Sequence, residues 1–67
     1  MARLSAGEKE SKLAALWRLL RGHDNGLREI EVAEMLEWER RTANNYLHDL
    51  EAQDEAYKEG RQWYAEE

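Results

Sequence analysis

Twelve residues near the middle of the chain, Glu39-Arg40-Arg41-Thr42-Ala43-Asn44-Asn45-Tyr46-Leu47-His48-Asp49-Leu50, leave it little choice of fold. At the helical step of about 100° per residue, Ala43, Tyr46, Leu47 and Leu50 fall on one face. Arg40, Arg41, Asn44, Asn45 and His48 fall on the other, and no acid interrupts positions 40–48. That gap stands out in a chain with 15 acids and 10 bases. A shorter apolar pattern, Ile30, Ala33, Met35 and Leu36, precedes it, and only Glu37-Trp38-Glu39 lies between. The spacing predicts a helix over about 29–37, a tight turn, and a second helix over about 40–53.

The polar face has its own chemistry. Asn is a poor mid-helix residue, so Asn at both 44 and 45 asks for a reason beyond solvation. Arg, Asn and His are side chains that reach phosphates and base edges. Two short helices joined by a tight turn, the second presenting such a face, form a helix-turn-helix.

Before this pair, Ser5-Ala6-Gly7-Glu8 fits a capping box that would open a helix running to about Arg21. Leu13, Leu16, Trp17 and Leu20 form its apolar stripe. Gly22 is expected to end it in the left-handed conformation, and His23-Asp24-Asn25-Gly26 is turn chemistry. After the pair, Asp54-Glu55 closes the helix without a Gly. Ala56 to Tyr64 then alternates around Glu59-Gly60, which predicts a hairpin with strands near 55–58 and 61–65 and Gly60 at positive φ. Residues 1–67 read as a single domain, frayed over 1–4 and 65–67.

A 67-residue chain without Phe, and with nine Leu as its main apolar stock, cannot enclose a large pocket. The absence of Cys removes disulfides, thiolate metal sites and thiol nucleophiles. His23 and His48 stand far apart in sequence, and Ser5 and Ser11 have nothing nearby to activate them. No catalytic residue, metal ligand or cofactor site is therefore expected, and the chain does not read as an enzyme. No apolar run has signal or membrane-spanning length, so a soluble, cytoplasmic protein is expected. The net charge of −5 opposes general affinity for nucleic acid, but the charge is unevenly spread. Residues 27–39 carry five acids against one base, whereas residues 40–53 balance.

The stretch from Leu27 to Tyr64 resembles winged helix-turn-helix domains. Val32-Ala33, Leu36, Thr42, Leu47 and Leu50 stand where that pattern wants them, and Ala56 to Tyr64 looks like the two-stranded wing. The resemblance implies a small α+β fold of three helices with a C-terminal two-stranded wing. Leu27 and Arg28 would pair with the wing as a short third strand. It further implies a double-stranded-DNA-binding module of a transcriptional regulator, with the third helix in the major groove and the wing on the flanking backbone. Arg40, Arg41, Thr42, Asn44, Asn45 and His48 would then contact DNA from the helix, with Thr42 on a phosphate. Lys58 and Arg61 would do so from the wing. A different reading is a protein-interaction module using the acidic second helix, Glu29, Glu31, Glu34 and Glu37, which otherwise form a solvated face. A third is dimerisation on the first helix, where Leu19 widens the stripe; the oligomeric state stays open. Trp17, Tyr46 and at least one of Trp63 and Tyr64 are expected in the core, with Trp38 capping it or partly exposed.

Overall fold

The computed structural model describes residues 3–66, with side chains from Lys9 onward. Helix α1 spans Arg3–Arg21, α2 Glu29–Leu36 and α3 Arg40–Ala52; strands β1 (Ala56–Glu59) and β2 (Gln62–Ala65) follow. This is an α+β chain in the layout of a small winged helix. Leu16 and Leu20 of the α1 stripe are fully buried, and Leu13 and Trp17 pack against the same core. The helix already covers Arg3 and Leu4, so Ser5 is not its N-cap; the side chains of the expected capping box lie outside the described residues. At the other end Gly22 does not take positive φ. A tighter bond from the His23 N–H to the Leu20 carbonyl (3.0 Å) closes the helix instead. The His23 imidazole adds a bond from Nδ1–H to the Leu19 carbonyl at 2.9 Å, and a carbonyl can only accept, which places the proton on Nδ1.

Helix α2 opens at Arg28, whose N–H donates to Glu31 Oε1 at 2.8 Å. This is the acidic half of a capping box, since Arg28 has no acceptor of its own to complete it. The buried residues of α2 are Val32 and Ala33, with Leu36 partly covered. Ile30 and Met35, expected to face inward, are 40% and 51% exposed. An eight-residue helix offers barely two turns, and the positions one and four apart from Val32 define its inner face.

Both helix-turn-helix members end alike. Glu37 has φ 59° and Asp54 φ 61°, the left-handed region that favours Gly. The Trp38 N–H bonds to the Ala33 carbonyl (2.9 Å), and the Glu55 N–H to the Leu50 carbonyl (2.9 Å), the six-to-one link of a Schellman motif. Glu37→Gly and Asp54→Gly should each stabilise the domain by about 0.5–1 kcal/mol. Glu37→Gly should gain more, because Asp tolerates this conformation better than Glu. Urea unfolding of the two variants checks this, and a loss of stability in both would refute it.

The hairpin pairs Ala56 with Ala65, Tyr57 with Tyr64, Lys58 with Trp63 and Glu59 with Gln62. Its two turn residues are Gly60 and Arg61, one position later than the sequence suggests. Gly60 has φ 63° while Arg61 stays negative, the pattern of a type II′ turn. Ala65 is paired with Ala56, while Met1, Ala2 and Glu67 lie outside the described residues. The third strand is reduced to one bridge. Leu27 N–H bonds to the Trp63 carbonyl (3.0 Å) and Trp63 N–H to the Leu27 carbonyl (2.7 Å). Trp63, 1% exposed, anchors the hairpin in a core built with Leu16, Leu20, Leu27, Val32, Ala33, Ala43, Leu47, Leu50 and Ala56. Trp17, Trp38 and Tyr46 flank that core half-buried, and Leu19 packs on it too. No helix among the described residues is long and apolar enough to cross a membrane.

Candidate nucleic-acid interface

Helix α3 buries Ala43, Leu47 and Leu50, and this fixes what it presents outward. Arg41, Asn45 and His48 follow at spacings of four and three along the opposite face, and all are exposed. Thr42, the third residue of the helix, and Asn44 are half-buried on its flanks. Glu39 is the N-cap but its side chain makes no capping bond, so the first N–H groups of α3 meet no carboxylate from it. His48 is already engaged. Its Nδ1 lies 3.2 Å from Glu51 Oε1, and its ring meets Trp63 edge-on at 5.3 Å. The contact with Trp63 ties the helix face to the wing.

Arg40 points away from that face. Its Nε–H donates to Glu29 Oε2 at 3.1 Å, joining the starts of α3 and α2. On the wing, Lys58 shares the inner strand face with Trp63, and its Nζ lies 5.7 Å from the ring centroid. Arg61 sits at the turn. The fold gathers these side chains around one groove of about 320 Å³, whose lining among the described residues includes Arg28, Arg40, Lys58 and Arg61 and a single acid, Glu29. Three of the sequence-selected residues, Arg40, Lys58 and Arg61, thus meet in the groove. Arg41, Thr42, Asn44, Asn45 and His48 belong to the neighbouring helix surface rather than to its lining.

Arg28 was not among the residues selected from sequence. It stands beside an acidic helix, and only the Leu27–Trp63 bridge brings it under the wing. An isolated base just before a helix start, next to a residue expected to pair with the wing, was the signal available.

The other aromatic residues are used elsewhere. Trp38 and Tyr46 lie 5.2 Å apart with Lys12 Nζ over both rings. Tyr57 and Tyr64 stack at 5.2 Å on the outer hairpin face, away from the groove. There desolvation, then the charges of Glu59 and Glu66 and the neighbouring Tyr64, push the pKa of the Tyr57 hydroxyl above its ordinary value. No protein-family model, curated protein or solved structure matches this chain.

Proposed function

We propose that the chain is a winged helix-turn-helix module that binds double-stranded DNA, as part of a transcriptional regulator. The observation that carries this reading is the convergence of Arg28, Arg40, Lys58 and Arg61 on one groove beside the exposed row Arg41, Asn45 and His48. In this reading α3 enters the major groove, where Asn45 and Arg41 are placed to meet base edges. The groove and wing follow the adjacent backbone, where four cations suit phosphates and carry no sequence information. The net charge of −5 works against this affinity and makes it depend on the local patch.

With some four or five basic residues at the interface, affinity should fall with salt at a log–log slope of about −3.6 to −4.5. Lys58→Ala should weaken binding to all sequences and lower that slope by about 1. Asn45→Ala should cost about 1–3 kcal/mol on a preferred site and less on random DNA. Titration of the labelled protein with mixed duplexes at low salt checks the whole reading. If no amide in 40–48 or 57–62 shifts, it fails.

A protein-interaction role for α2 is the second reading, favoured by the exposure of Ile30 and Met35 on a helix without bases. Of its three acids and Glu37 just beyond it, two serve internally, Glu29 on Arg40 and Glu31 on the Arg28 N–H, which leaves Glu34 and Glu37. Neutralising those two should weaken binding of a basic protein surface and strengthen DNA binding, so one variant separates the readings.

A further inference from the structure

We propose that Glu29 stands in for a nucleic-acid phosphate in the free protein. Its carboxylate holds Arg40 until a backbone phosphate enters the groove and replaces it. The proposal rests on the DNA-binding reading above and specifies how that site is regulated from within.

The geometry is that of an exchangeable acceptor. Arg40 is 68% exposed and Glu29 28%, so the guanidinium can be reached from solvent while still bonded to the carboxylate at 3.1 Å. A phosphate offers the same acceptor oxygens to a guanidinium as a carboxylate does, so exchange keeps the bond type. Among the described residues, Glu29 is the only acid in a lining that holds Arg28, Arg40, Lys58 and Arg61, so the groove keeps a surplus of positive charge even with Glu29 in place. Once released, Glu29 remains at the first position of α2, where a carboxylate is favoured by the helix dipole. An exposed ion pair of this kind is weak, equivalent to a factor of about 1.4–5 in an equilibrium constant. A polyanion that also meets Arg28, Lys58 and Arg61 can displace it, whereas a single small anion gains only the bond it replaces. Glu29 thereby favours extended phosphate backbones over isolated anions.

The test uses the full chain, a mixed-sequence duplex and low salt. Glu29→Gln and Glu34→Gln remove the same charge from the same helix. Glu29→Gln should bind about threefold tighter than Glu34→Gln, within the range for an exposed pair. Glu29→Asp keeps the charge but is one methylene too short to hold Arg40, and it too should bind tighter than the unmodified chain. The excess of Glu29→Gln over Glu34→Gln should vanish when both are made with Arg40→Gln. Equal gains from Glu29→Gln and Glu34→Gln overturn the proposal while DNA binding stands. So does an excess that survives Arg40→Gln, since that would be plain repulsion. If no protein in the set binds, the DNA reading falls and the proposal with it.

Discussion

Trp63→Ala is expected to cost about 3–5 kcal/mol, the range for emptying a fully buried aromatic position. At about 0.05–0.15 kcal/mol per residue, a chain of 67 residues holds a total of about 3–10 kcal/mol, so the substitution should remove between about a third and all of the stability. The size follows from where the indole sits. It is 1% exposed, the largest fully buried side chain, and it joins three parts of the molecule. Its backbone carries both bonds of the bridge to Leu27, its ring receives the edge of His48, and Lys58 lies over it. Trp17→Ala and Trp38→Ala remove rings of the same size from half-buried positions and should cost clearly less. Urea titrations followed by far-ultraviolet circular dichroism give the order. A Trp63→Ala cost no larger than that of Trp38→Ala would show that the hairpin is not anchored as described.

How much of this was legible in the sequence depends on the length over which each signal is averaged. Helix α3 repeats its apolar period across 13 residues, and Ala43, Leu47 and Leu50 are buried as the spacing requires. Tyr46 is only half-buried, at the edge of the core where Trp38 and Lys12 lie against it. The hairpin was legible through Gly60, with the turn displaced by one residue, since alternation fixes the strands more firmly than the loop between them. Helix α2 is too short for such averaging, and the apolar pattern took in Ile30 and Met35 with Ala33, although the buried pair is Val32 and Ala33. The helix ends at Glu37 and Asp54 carry no Gly, so their left-handed turns leave little trace in residue type. The site was legible by element and not by partner. Arg40 and Glu29 are 11 positions apart and meet only because α2 and α3 cross at the turn. The same holds for Arg28, whose place in the groove depends on a bridge to residue 63.

Gly26→Ala should destabilise by about 2–4 kcal/mol, where Gly60→Ala costs only about 1 kcal/mol. Both glycines have positive φ, 84° and 63°, and both pay the backbone penalty of a left-handed L-residue. Their surroundings differ. A Cβ at Gly60 would meet nothing within 4 Å. A Cβ at Gly26 would lie 2.8 Å from Cε2 and Cζ of Tyr64 and 3.1 Å from the Gln62 Cβ. The Tyr64 ring could tilt away only by giving up its stack on Tyr57, and the Gln62 Cβ is fixed by the strand. Gly26 also closes the turn after α1, its N–H bonded to the His23 carbonyl at 2.9 Å, and it leads directly into Leu27. A shift there would loosen the bridge to Trp63 and move Arg28 away from the wing, so DNA binding should weaken along with stability. Truncating Tyr64 supplies the control. In a Tyr64→Ala background the added cost of Gly26→Ala should fall toward that of Gly60→Ala, because only the backbone term and the Gln62 contact remain. Equal costs at the two glycines in the unmodified chain would mean that the Tyr64 ring does not pack over Gly26.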